Sequence, residues 1–191
     1  MKLALVTPET ISDQTLIARM AEGDRPALGA LFDRHHHALH SFLARASGAC
    51  DSEVDDLVQT TFLEAFRAAH RFRGASSPRT WLFAIGSNVA RMYHRATRRR
   101  ARAIEKLADL PERTMTGLDA KLADQRALAR VAAALDELPH DLRIVYVMCV
   151  IEEVPADDAA RALGIARGTV WSRIYNARQF LRAAVDPEER R

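Results

Sequence analysis

Apolar positions recur along most of the chain at steps of three and four residues, and alternation at steps of two is almost absent. That pattern predicts helices and no sheet. Asp24 followed by Pro26 marks a helix start, after which Leu28, Phe32, Leu39 and Phe42 share one face. A second stripe runs through Leu57, Thr61, Phe62, Ala65, Phe66 and Ala69. Gly74, Ser76, Ser77 and Pro78 then form a loop in which Ser77 is placed to cap a helix and Pro78 to occupy its first position. Leu82, Ile85, Val89 and Met92 continue that helix. Periodicity weakens around Pro111, Thr114, Thr116 and Gly117, and returns with Leu128, Val131, Leu135 and Leu138 before Pro139 stops it. Leu142 to Ile151 reads as a strongly apolar helix at the centre of a second core, with a short helix after Pro155 and a final one from Arg167 to Ala184. The expectation is an all-α protein of two small helical domains, residues 10–102 and 124–185, joined by a linker over 103–123.

Composition narrows the class. With 191 residues, 48% hydrophobic and 28% charged, the chain is globular in profile. Two cysteines, Cys50 and Cys149, give no disulfide framework, and the longest apolar run is far too short to cross a bilayer. The N-terminal apolar stretch is also too short for a signal peptide, so a cytoplasmic protein is expected, without membrane insertion. Net charge is only +3, but the charges are segregated. Six arginines and no acid lie between Arg91 and Arg102, and five more without an acid between Ala159 and Val185. From Ala46 to Phe66 the reverse holds, with Asp51, Glu53, Asp55, Asp56 and Glu64 and no base. Arginine excess alone fits codon bias; its clustering points to nucleic acid at two places and a basic protein partner at a third.

Ala160, Gly164 and Val170 have the spacing of a helix-turn-helix. The small residue allows close crossing, the glycine allows a positive φ, and the valine plugs the second helix into the core. Gly168, Trp171, Ser172, Tyr175 and Gln179 then face away from that core, with arginines and Asn176 at the margins, a surface suited to the major groove. Upstream, Phe72 to Asn88 is a polar loop flanked by aromatics and followed by an arginine-rich helix end, a combination suited to single-stranded DNA.

Taken together these segments resemble the extracytoplasmic-function (group 4) sigma factors of bacterial RNA polymerase, over nearly the whole chain. Asp55 to Phe66 is similar to the family's "DDLxQxxFLxAF", Trp81 to Asn88 to "WLxxIxxN", Leu138 to Met148 to "LPxxxRxVxxM", and Gly164 to Arg178 to "GIxxGTVxSRIxxAR". The resemblance implies that Asp55, Asp56, Gln59, Thr60 and Glu64 dock on the β′ clamp helices of core polymerase. It implies that Gly74, Ser76, Ser77, Arg79, Trp81 and Asn88 recognise and melt the −10 element, with Arg91, Arg95, Arg98, Arg99 and Arg100 along the backbone of the opening duplex. It further implies that Arg167, Trp171, Ser172, Tyr175 and Asn176 read the −35 element while Thr169, Arg173 and Arg178 hold phosphates, in a domain that also docks on the β flap. An anti-sigma factor is an expected partner, and neither catalysis nor a cofactor is expected. Met92 stands where an Asp is common in the family, and Trp171 and Asn176 where basic residues are common. Val154 to Asp158 replaces the usual entry to the helix-turn-helix.

His35, His36, His37 and His40 cluster in one helix, yet a zinc site needs further ligands, and structural or surface histidines are expected. Cys149, inside an apolar run, reads as a small buried hydrophobe. A free-standing helix-turn-helix regulator is the alternative reading, but it leaves the acidic helix and the aromatic–basic loop without a purpose. A decoy that only sequesters an anti-sigma partner would not need both arginine-rich faces.

Overall fold

The computed structural model describes residues 11–105, 130–131 and 133–185, helical except for connecting turns and without a strand among them. The expected linker over 103–123 lies outside the described residues from 106 onward, as does Leu128. Helix α1 (Asp13–Ala21) has no counterpart in the sequence expectation, because Leu16, Ile17 and Met20 span too little chain to register as periodicity. Ser12 caps it, its hydroxyl accepting from the Thr15 N–H at 3.2 Å. Asp13 ties α1 to the next helix through Arg34 at 2.6 Å and His35 at 2.7 Å. Burial pushes the Asp13 carboxyl up, but the hydrogen bonds from Arg34 and His35 outweigh it and leave it below its usual range.

Helix α2 (Arg25–Ser47) begins at the Asp24 cap, with Pro26 in its first turn, and ends at Gly48, whose φ of +65° is left-handed. Helix α3 (Asp51–Ala68) starts at Cys50, whose N–H donates to Glu53 at 3.2 Å. After a short 3-10 turn, Ala69–Arg71, the loop leads into α4 (Pro78–Glu105). The expected cap holds: the Ser77 hydroxyl accepts from the Thr80 N–H at 3.1 Å. Phe42 and Phe83 stack at the centre of this bundle, ring centroids 4.4 Å apart. Gly86 lets α4 cross α2 closely, since a Cβ there would meet a Leu39 methyl at 3.2 Å.

The second half holds α5 (133–137), α6 (His140–Tyr146), a π turn (Val147–Ile151), α7 (Ala156–Leu163) and α8 (Arg167–Val185). The second half has cores of its own, but the expectation that the stretch from Leu142 to Ile151 lies wholly at the centre of one needs correcting. Val145 joins Ala160, Val170 and Ile174 in the helix-turn-helix core, whereas Ile144, Val147, Met148, Val154 and Ala159 join the core of α1–α4. The stretch is apolar on all sides because it is covered on both. The two halves therefore meet along a seam formed by α2 and α4 on one side and by α6, the π turn and α7 on the other.

The seam is also polar. Glu152 lies between Arg79, at 2.5 Å, and Arg45, at 3.3 Å, with its side chain only 9% exposed. Asp141 approaches Arg91 and Arg173, each at 3.5 Å. The Arg143 side chain, 5% exposed, sits against the turn at Gly48 and 3.6 Å from Asp136. His94 and His140 stack with centroids 5.2 Å apart. Burial and the neighbouring His94 push the His140 imidazole down to about 4.

Candidate polymerase and nucleic-acid interfaces

Three helix faces carry the expected site residues. On α3 the buried stripe of Val54, Leu57, Val58, Thr61 and Phe62 turns Asp55, Asp56, Gln59 and Thr60 outward. Glu64 is half-buried and held by Arg67 at 2.5 Å. Asp55 lies 3.5 Å from His40, at the edge of a groove of about 400 Å³ lined by Phe32, His36, His37, Val58 and Gln59. His36 stacks flat on Phe32 at 4.9 Å, and His35 is tied to Asp13, so the histidines pack and pair. No group of three potential ligands comes together among the described residues. Sequence reasoning missed Leu63, an exposed leucine beside this acidic face. Its signal was an apolar residue out of phase with the buried stripe.

The loop before α4 is built from below. Phe72 and Trp81 meet at 5.1 Å and both pack against the core, so Trp81 supports the loop. Gly74, at φ +69°, is exposed, while the Ser77 hydroxyl is committed to the cap and Ser76 is half-buried. A groove of about 500 Å³ runs between α1, at Gln14, Ala18 and Glu22, and the loop at Phe72, Arg73 and Gly74. The unexpected α1 thus forms one wall beside the loop. Along α4, Asn88, Arg95, Arg98, Arg99 and Arg100 are exposed. Met92, 70% exposed, shares their face. Arg79 and Arg91 differ: both are half-buried in the seam, where they pair with Glu152 and Asp141, and Arg79 also lies 4.8 Å over the Phe83 ring.

In the helix-turn-helix, α7 ends at Gly164 with φ +66°, and Val170, Ile174, Ala177 and Leu181 bury one face of α8. Arg167, Trp171, Ser172, Tyr175, Asn176 and Arg178 are exposed, Trp171 and Tyr175 conspicuously for aromatics. Thr169 and Arg173 are half-buried, Arg173 turned toward Asp141, and Arg167 pairs with Asp157 at 3.0 Å. Cys149 is half-buried, and burial pushes its thiol up to about 11, which favours the protonated form.

The chain matches the Sigma-70 region 2 family over residues 31–100 and the Sigma-70 region 4 family over residues 128–181. It is 31% identical to the ECF RNA polymerase sigma-E factor of Escherichia coli strain K12, over 96% of this chain and 99% of that protein. The Haemophilus influenzae protein of the same name is 29% identical over 94% of this chain and 98% of its own. Among solved structures, CnrH in complex with the cytosolic domain of CnrY matches with TM-score 0.65 and 33% identity, covering 92% of this chain and 97% of that one. The sigma factor RpoE of Bartonella quintana, in complex with the anti-sigma factor NepR, matches with TM-score 0.59 and 25% identity, covering 81% and 93%.

This chain belongs to the extracytoplasmic-function sigma factors. It is a promoter-specificity factor for transcription initiation, with core RNA polymerase and promoter DNA as its partners. A free-standing regulator is not favoured. As a sigma factor it presents the acidic α3 face in region 2 and the aromatic face of α8 in region 4. No described helix is long and apolar enough to cross a membrane.

Proposed function

We propose that the factor acts through an acidic face for the polymerase clamp and two surfaces for promoter DNA, with a further polymerase contact at the β flap. Asp55, Asp56, Gln59, Thr60 and Glu64 dock on the β′ clamp helices, with Leu63 as the apolar anchor between charges. The loop from Gly74 to Arg79 takes up an unstacked non-template base of the −10 element, and Trp81 holds that loop from behind. Extrusion costs a few kcal/mol. Asn88, Arg91, Arg95, Arg98, Arg99 and Arg100 offset it through contacts to the separating strands. On α8, Arg167, Trp171, Ser172, Tyr175 and Asn176 read the −35 element, while Thr169, Arg173 and Arg178 hold phosphates. Residues 10–102 form the −10 unit and 124–185 the −35 and β-flap unit, with 103–123 between them. The chain performs no catalysis, works in the cytoplasm beside its polymerase, and is held by an anti-sigma factor.

The observation that carries this reading is the separation of charge by helix face. The exposed side of α3 is acidic, that of α4 is cationic from Arg95 to Arg100, and that of α8 combines aromatic, amide and guanidinium groups. Purified protein mixed with core polymerase and a fragmented genomic library tests it by sequencing of run-off transcripts. Initiation from a shared two-element promoter, absent without the protein, is expected. Polymerase binding without transcription would show a decoy, and DNA binding without polymerase contact would show a free-standing regulator.

A further inference from the structure

We infer that Asp157 is a positioning residue for −35 recognition, fixing the Arg167 guanidinium so that its outer edge reads a guanine in the major groove. The inference rests on the reading of α8 as the −35 helix. Asp157 lies in the first turn of α7 and Arg167 begins α8, and both side chains are exposed. With Arg161 and Gly164 they line one groove of about 520 Å³ on the helix-turn-helix. The Asp157 carboxylate meets Arg167 at Nε, 3.0 Å away. An arginine held at Nε keeps Nη1 and Nη2 for another partner, and those two atoms form a fork that fits guanine O6 and N7.

Folding stability does not account for this pair. Asp157 suits the N-terminus of α7, but a cation at a helix N-terminus opposes the macrodipole, and α8 has no acid in its first turn to offset Arg167. The countercharge comes instead from the neighbouring helix, across the turn at Gly164. Asp158 differs: it pairs with Arg161 on its own helix, an ordinary contact between residues three apart. An exposed ion pair adds little to stability. It still favours recognition, because a long side chain ordered before DNA arrives need not be ordered by the DNA. A carboxylate at this edge of the domain also repels phosphates, which weakens binding to DNA of any sequence. Asp157 thus lowers general affinity and sharpens selectivity at one base pair, where any base other than guanine leaves the fixed fork unmatched.

The test uses holoenzyme, assembled from the full chain and core polymerase, on a promoter found by run-off transcription. The upstream element of that promoter is randomised, and barcoded transcripts are sequenced to give a base preference at each position. Wild type is expected to prefer guanine at one position by about tenfold or more, and R167A to lose that preference. D157A is expected to cut the preference at the same position below about threefold and to leave the others within about twofold. Retained preference at those other positions reports a folded domain. The double variant is expected to be no less selective than R167A alone. D158A removes the same charge one residue away and is expected to leave every preference within about twofold. Three D157A profiles overturn the inference. One is a uniform gain with the guanine preference unchanged, which is simple charge removal. Another matches wild type at the Arg167 position. The third loses all positions together, since Asp157 then supports the whole domain and not one arginine. The underlying readings fail separately. Wild-type holoenzyme that does not initiate refutes the sigma assignment and the inference with it. R167A that keeps every upstream preference refutes the base-reading role of Arg167, and Asp157 falls with it. R167A that loses a guanine preference which D157A keeps refutes Asp157 alone.

Discussion

Gly48→Ala probes the seam where the end of α2 meets Arg143. Gly48 ends α2 at φ +65°, and a Cβ built there would lie 2.6 Å from Nη1 of Arg143, well inside contact distance. Two costs add. The left-handed backbone costs an alanine about 1–2 kcal/mol. Displacing the buried Arg143 from its place beside Asp136 is an overpacking cost of about 1–3 kcal/mol. Gly164 supplies a matched control, because its φ is +66° and nothing lies within 4 Å of a Cβ there. Gly164→Ala therefore carries the backbone cost alone. Urea unfolding of the two variants is expected to differ by about 1–3 kcal/mol, with Gly48→Ala the less stable. Adding Arg143→Met to each should shrink that difference, which isolates the contact by a double-mutant cycle. If the two glycine variants fall within about 0.5 kcal/mol of each other, Arg143 is not wedged against α2 and the packing of the seam is misread.

Acidification should open the same seam. His140 faces His94, Arg91, Arg143 and Asp141, and its imidazole is pushed from 6.5 down to about 4, so the closed form favours the neutral ring. That contribution is complete above pH 6.5 and is lost as pH falls toward 4, and His140→Phe should flatten part of the slope in urea midpoint across that window, the rest coming from His94, which is also pushed down by burial. Leu63→Ala, at a side chain 55% exposed, should leave stability unchanged within about 0.5 kcal/mol yet weaken binding to core polymerase about tenfold, measured by competition between labelled factors. Equal affinity for polymerase would remove Leu63 from the docking surface. Phe42→Ala, at a fully buried ring stacked on Phe83, should cost about 3–5 kcal/mol in thermal or urea unfolding; a loss below 1 kcal/mol would contradict the packing.

The loop and caps were legible in the sequence because their causes are local. Ser77 and Pro78 start α4, and Asp24 with Pro26 starts α2, by hydrogen bonds and fixed φ angles that depend on residues within one turn. The helix-turn-helix was legible for the same reason, its Gly164 and Val170 being where turn and plug require them. Helix α1 escaped because two turns hold too few apolar positions to show a period. Trp81 shows a different limit. The core is the ordinary place for a lone tryptophan, but only packing shows that the Trp81 ring lies against Phe72.

Sequence by itself determined the longer helices, the helix-turn-helix and the three charge-segregated faces, since each follows from local periodicity, capping and composition. Only the tertiary structure decided what the apolar stretch from Ile144 to Val154 is buried against. Local pattern records that a side chain avoids water, and it does not record which surface excludes the water. The same holds for charge. Arg79 and Arg91 read as free cations along the chain, yet their partners Glu152 and Asp141 lie fifty or more residues away, brought near by packing that no local rule encodes.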